Sequence, residues 1–144
     1  MNGQLLRQTR SALARTTAGP GFVDITGDVS AWLSKIEAED GLLTLFIRHT
    51  SASLTIQENA DPDVQRDLFD ALDGLAPQSV RYRHATEGPD DMPAHIRSML
   101  TSTSLSIPVA AGRGLLLGTW QAIYLIEHRA QPHDREIILH YVGT

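Results

Sequence analysis

Apolar residues along the chain follow two alternating rhythms, one of period two and one near 3.6. Gln4–Thr16 reads as a first strand, with Leu5, Leu6, Leu13 and Ala14 set among polar residues, and a turn follows at Gly19–Gly21. After the short apolar run Phe22–Ile25, residues Val29, Trp32, Leu33 and Ile36 fall at i, i+3, i+4 and i+7. That is the stripe of an amphipathic helix, which Thr26 or Asp28 would cap and the polar Glu39–Gly41 would end. Leu42–Ile47 is apolar almost throughout, as a buried strand is, and Ser53–Ile56 continues the sheet past a bend. Asp61 then stands where an N-cap belongs, Pro62 at the first helical position and Asp63 at the positive end of the dipole. Val64, Leu68, Ala71, Leu72 and Leu75 form the stripe of that helix, and Gly74 and Pro77 stop it. A third, short helix starting near Asp91–Pro93 carries Ile96, Met99 and Leu100. Ser104–Val109, Leu115–Gly118, Gln121–Ile126 and Arg135–Val142 are strand-like between Gly- and Pro-marked turns. The order of elements predicts an α+β fold in two layers, about three helices on an antiparallel-rich sheet, with Trp120 and His140 packed into it.

At 144 residues and 42% hydrophobic, with mean hydropathy −0.15, the chain is expected to be a single globular domain over residues 1–144. Its net charge of −5 argues against nucleic acid as a partner, which would need a basic face. The absence of cysteine excludes disulfides, thiolate metal sites and cysteine nucleophiles. MNGQLLRQTRSALARTT holds no apolar stretch of signal-peptide length, and no run approaches the roughly 20 apolar residues of a membrane span. The expected location is therefore the cytoplasm, away from membranes.

Chemistry-bearing residues gather in three segments: Arg48–Ser53, Gln57–Asp61, and Arg81 through His95. No compact zinc motif joins the histidines, so a metal site would have to be assembled from distant segments, for instance His49, His84 and His95. Otherwise each is a solvated or hydrogen-bonded loop residue. Glu58 and Asp61, three residues apart, can hold Mg²⁺ against a substrate phosphate, and Asp61 serves equally as a helix cap. Arg48, Arg81, Arg83 and Arg97 either clamp a phosphate or pair with surface acids such as Asp90 and Asp91. The His49-Thr50-Ser51 run lacks a G-x-S-x-G elbow, which speaks against a hydrolytic triad. Glu127, His128, His133 and Asp134 flank a Pro-containing turn and read as hairpin-end polar residues.

Three longer blocks are more specific. HTSASLTIQENADPDVQRDL (His49–Leu68), AHIRSML (Ala94–Leu100) and SLSIPVAAGRGLLLGTWQAIYLIEHR (Ser104–Arg129) resemble the YjbQ-like family, an uncharacterised protein family often labelled secondary thiamine-phosphate synthase. The resemblance runs from about Leu5 to Val142. It implies a compact α+β fold assembled as a homotrimer with a site near subunit contacts. It also implies a weak activity joining hydroxymethylpyrimidine diphosphate to thiazole phosphate with release of diphosphate. The family's polar positions that match are His49, Ser51, Glu58, Asn59, Asp61, His84, His95, Gly118, Thr119 and Gln121. Two stretches depart from the pattern: Glu87–Pro93 replaces an Asn- and Gly-rich segment, and Glu127-His128-Arg129 replaces an E-F-D-G-P-R-like turn, which discounts His128 as a ligand.

Two readings follow. In the first, a synthase-like transferase acts on a phosphorylated small molecule. His49, Glu58, Asp61, His84 and His95 carry the chemistry, with Mg²⁺ on Glu58 and Asp61, and Ser51, Asn59, Arg83, Thr119 and Gln121 bind the substrate. In the second, the chain is a metal-binding trimer, or a hydrolase in which Zn²⁺ on His49, His84 and His95 activates water.

Overall fold

In the computed structural model, which describes residues 3–144, the strands part into two antiparallel sheets rather than one. β1 (Arg7–Thr16), β3 (Gly41–Ile47), β5 (Ser104–Ala110), β6 (Gly114–Leu115) and β8 (Asp134–Gly143) form the larger sheet, in the order β1-β8-β3-β5-β6. β2 (Gly21–Asp24), β4 (Ala52–Glu58) and β7 (Gln121–Glu127) form the smaller, in the order β2-β7-β4. The three helices are α1 (Thr26–Lys35), α2 (Pro62–Leu75) and α3 (Asp91–Leu100). The α+β class and the helix count are as the periodicity predicts.

Between the sheets lies the core. Leu43, Leu45 and Ile47 of β3 and Ile137, Leu139 and Tyr141 of β8 meet Leu54 of β4 and Ile123 and Leu125 of β7, with Val29 and Leu33 of α1 filling one end. Strict alternation sends Leu42 and Phe46 to the opposite face of β3, where both are exposed. β7 is buried on both faces from Ala122 onward, which explains its continuous apolar run. Ile123 and Leu125 enter the core, while Tyr124 lies edge-on to Phe22, which in turn meets Phe69 of α2. α2 thus covers the outer face of the small sheet with no residue fully buried.

The ends of elements differ from the pattern in places. Thr26 begins α1 rather than capping it: the Asp24 carboxylate accepts the Thr26 amide at 2.9 Å, and the Thr26 hydroxyl accepts the Ile123 amide at 2.8 Å. Asp28 lies inside the helix and pairs with Arg15 at 3.4 Å. β6 is only Gly114–Leu115, shorter than the expected Leu115–Gly118; it follows a tight turn with Gly112 and Gly114 at positive φ, and Leu117 beyond it packs against the core. Trp120 is 62% exposed, contrary to the expected burial, while its carbonyl accepts the Asn59 amide at 2.9 Å. His140 is half-buried and its Nε2 lies 3.0 Å from Gln8 Oε1.

Asp61 caps α2 as predicted, its carboxylate accepting the Asp63 amide at 2.9 Å with Pro62 at the first helical position. Asp61→Ala is expected to cost about 1 kcal/mol, a fall of roughly 3 °C in Tm for a domain of this size, read by thermal unfolding.

Candidate metal centre

β4 and β7 run antiparallel, so the ends of this pair define two poles. Glu58 lies opposite Gln121 at one pole and Ala52 opposite Glu127 at the other. Six residues of extended chain, about 20 Å, separate them. The candidate residues divide accordingly. Glu58, Asn59, Asp61, Gly118, Thr119 and Gln121 gather at the first pole. His49 and Ser51 precede β4 at the second, where α3 is tied down by Ser98 Oγ donating to the Ala52 carbonyl at 3.3 Å. The polar side chains at the first pole are engaged locally: Gln121 Oε1 accepts the Gly118 amide at 2.8 Å, and Asp61 is occupied as a cap. Arg83 is exposed, and no ion pair of its side chain exists among the described residues.

The second pole holds a cluster. Asp91 opens α3 and His95 follows at i+4, so both side chains share one helix face. The loop before the helix brings His84 onto the same carboxylate. His84 Nε2 lies 2.7 Å and His95 Nε2 3.4 Å from Asp91 Oδ2, and one donor atom from each of the three lies within 4.8 Å of the others. Asp91 is 2% exposed, whereas both imidazoles reach solvent. Its other oxygen, Oδ1, accepts from Arg129 Nη1 at 2.8 Å, which fixes the plane of the carboxylate. Arg129 is itself held by Asp90 at 3.1 Å and by the Glu87 carbonyl at 2.9 Å. Burial pushes the Asp90 carboxyl up, but the Ala130 amide and Arg129 outweigh it and hold it below its ordinary value. Asp91 and Arg129 were both absent from the candidate residues; the Asp-x-x-x-His spacing on a helix was the available signal.

An ion about 2.0–2.2 Å from two imidazole nitrogens and one carboxylate oxygen needs those donors roughly 3–4 Å apart. The observed spacing is close to this, two of the donors reach solvent, and the carboxylate carries an outer partner as metal ligands do. The residues fit a divalent transition ion with open positions. His49 does not join them: its Nε2 accepts the Glu136 amide at 2.9 Å. Burial, then the Arg135 charge, lowers its pKa against the opposing pull of Glu127 and Glu136, so it is neutral near pH 7. Two clefts flank the trio. One of about 310 Å³ is lined by Arg81, Tyr82 and His84, and one of about 360 Å³ by His49, His95, Ile96 and Met99; Met92 lines both.

Behind the centre lies a buried polar network that the hairpin-end expectation for Glu127 and His128 does not describe. Glu127 is fully buried and takes Arg135 in a two-pronged ion pair, Nε to Oε1 at 2.8 Å and Nη2 to Oε2 at 2.6 Å. Thr17 Oγ1 and the Arg129 amide also donate to it, at 2.6 and 3.0 Å. Ser51, expected at substrate, has its Oγ 3.0 Å from Arg135 Nη2. His128 is 1% exposed and meets Ser53 Oγ at 2.8 Å, where Thr101 Oγ1 donates to the same hydroxyl at 2.6 Å.

Burial and the nearby Arg97 charge push the His128 pKa down to about 4 from 6.5. Below the unfolded value the unfolded chain takes up a proton that the folded chain refuses, so stability present above pH 6.5 is lost as pH falls toward 4. The loss expected is on the order of 3 kcal/mol. His128→Gln should flatten urea-denaturation stability across that window relative to the wild type.

Sequence and structure together define a class, a two-sheet α+β protein with a two-histidine, one-carboxylate constellation at a loop–helix junction. The model of the family "UPF0047 protein YjbQ-like" matches residues 11–144. A UPF0047 protein of Synechocystis is 51% identical over 138 residues, covering 95% of this chain and 93% of that one. The crystal structure of a conserved hypothetical protein from Thermus thermophilus is 40% identical, covers 89% of this chain and 97% of that one, and superposes with a TM-score of 0.78. A YbjQ-like protein of unknown function from Sulfolobus solfataricus, 22% identical, covers 97% of this chain and 100% of that one and shares the fold at a TM-score of 0.88. The chain belongs to the YjbQ-like UPF0047 family.

Proposed function

We propose that the chain is a metal-dependent enzyme acting on a phosphorylated small molecule, its ion held by His84, Asp91 and His95. The observation that carries this reading is the convergence of three donor atoms within 4.8 Å while Arg129 occupies the second oxygen of Asp91. A bound divalent ion would supply Lewis acidity and a water of lowered pKa. Two imidazoles favour Zn²⁺ or a neighbouring transition ion over Mg²⁺, which prefers an all-oxygen shell. Arg129 orients Asp91 within the donor set, and His84 and His95 leave their solvent faces open to substrate.

This arrangement favours the hydrolase reading of the chain, with Asp91 in the place expected for His49. The synthase activity implied by the resemblance fits the same place if the diphosphate of the pyrimidine substrate is the group bound there. Arg81, in the cleft shared with His84, is the cation available to it. Glu58 and Asp61, at the other pole of the small sheet, take no part in this reading, and no Mg²⁺ is assigned to them.

We further propose a cytoplasmic homotrimer; among the described residues no helix is long and apolar enough to cross a membrane. Light scattering of the full chain should return three times the monomer mass, and a monomer would contradict it.

The test is release of phosphate or diphosphate from phosphomonoesters and from the synthase substrate pair, before and after chelation and reloading with Zn²⁺ or Mn²⁺. Turnover should require metal, disappear in His84→Ala and His95→Ala, and survive in Glu58→Ala. Undiminished turnover by the chelated chain, or by both histidine variants, would overturn the assignment.

A further inference from the structure

His49 lines the same apolar cleft as His95 of the trio, and its tautomer can be read from its partner. A backbone amide can only donate, so the Glu136 N–H at 2.9 Å requires a lone pair on His49 Nε2. The single proton of a neutral imidazole then sits on Nδ1. That nitrogen has no hydrogen-bond partner among the described residues and is not among the buried atoms left without one. The ring lines the 360 Å³ cleft together with His95 of the trio. Met92, Ile96 and Met99 supply the apolar part of the lining, and Thr50, Ser98 and Thr103 complete it. Such a cleft offers an imidazole N–H fixed in its tautomer, one metal face and an apolar wall.

We infer that this cleft binds an oxyanion-bearing molecule with an apolar body, and that His49 is a positioning donor, giving its Nδ1–H to a substrate oxygen rather than ligating the ion. The inference rests on the metal reading of the trio for its substrate class, and on the Glu136 contact alone for the donor. Its chemistry follows from the parts. An anionic oxygen gains from an ion and an N–H at once, and a ring or chain attached to it gains from leaving water against Ile96 and Met99. His49 remains a donor through binding because the backbone amide holds its other nitrogen.

Two substitutions separate the nitrogen atoms. Gln can place an oxygen near the Nε2 position and keep the Glu136 contact while losing the donor. Asn can place an N–H near Nδ1 while losing the contact. The probes are phenylphosphonate and methylphosphonate, titrated calorimetrically into the zinc-loaded full chain. Phenylphosphonate is expected to bind at least about tenfold more tightly than methylphosphonate. His49→Gln should weaken phenylphosphonate about tenfold, whereas His49→Asn should stay within about threefold.

Long-range ¹H–¹⁵N NMR of the metal-free wild type should show the His49 proton on Nδ1, which holds whether or not zinc binds. A proton on Nε2, equal losses in both variants, or unchanged binding in His49→Gln would overturn the donor role. Zinc binding without affinity for either phosphonate, or equal affinity for both, would overturn the substrate class. Failure to bind zinc would overturn the trio and the substrate class together while leaving the tautomer result standing on its own.

Discussion

Arg135→Ala should destabilise the fold by about 3–5 kcal/mol, the cost of leaving one half of a buried ion pair without its partner. The reason is the position of Glu127. It is fully buried on β7, and its two oxygens are shared among Arg135, Thr17 and the Arg129 amide. Burial pushes its carboxyl upward, but the hydrogen bonds from Arg135, Thr17 and Arg129 outweigh it and hold the pKa below the ordinary value of 4.5. A carboxylate depressed in the folded state contributes stability above its unfolded pKa, which is lost as pH falls through the folded one. Without the guanidinium, the buried carboxylate must ionise unpaired or take a proton. In Arg135→Ala the Tm should drop by roughly 10–15 °C at neutral pH. Adding Glu127→Gln should recover part of the loss, since the orphaned charge is then gone. Equal losses in the single and double variants would mean that packing around Arg135, and not the pair, carries the stability.

Asp91→Asn should weaken divalent-metal binding by a hundredfold or more, with little change in the α3 fold. The amide matches the carboxylate in shape but carries no charge and can present an N–H to one of its neighbours. Oδ1 faces Arg129 at 2.8 Å while Oδ2 faces both histidines. The Asn oxygen is drawn to the guanidinium, which can only donate. Its NH₂ then faces the two imidazoles, where the ion would sit. Arg129→Ala keeps all three donors and loses the contacts that orient Asp91 and hold the loop before α3, so its effect should be smaller, about 10–100-fold. Competition titration against a chromophoric zinc chelator measures both. The order of the two effects separates a metal centre from a salt-bridge cluster: if Asp91→Asn leaves zinc affinity unchanged, the carboxylate is no ligand.

The elements were legible because each is written locally. The stripe Val29, Trp32, Leu33 and Ile36 makes α1, and Asp61-Pro62-Asp63 starts α2 whatever the rest of the chain does. The division of the strands into two sheets was not, since both sheets are antiparallel and alternation does not say which strand pairs with which. β7 shows the difficulty: its unbroken apolar run fits a central strand in either arrangement. Both histidines of the candidate metal centre were visible as isolated residues, but the third donor was hidden as a helix start. Asp91 reads as a first-turn acid, which it is, and only the loop that returns His84 to it reveals a second use. Glu127 and Arg135 were opaque for a related reason. Eight residues apart, on either side of the turn that carries the chain from the small sheet to the large one, they resemble any polar pair beside a turn, and their burial follows from the layers that close over them.

X-ray absorption at the zinc edge, on the zinc-loaded full chain, addresses the metal centre most directly. One ion per chain with two imidazole nitrogens and oxygen ligands at about 2.0–2.1 Å, lost in both His84→Ala and His95→Ala, is the result expected. No zinc retained by the wild type, or an unchanged zinc shell in the two histidine variants, would contradict it.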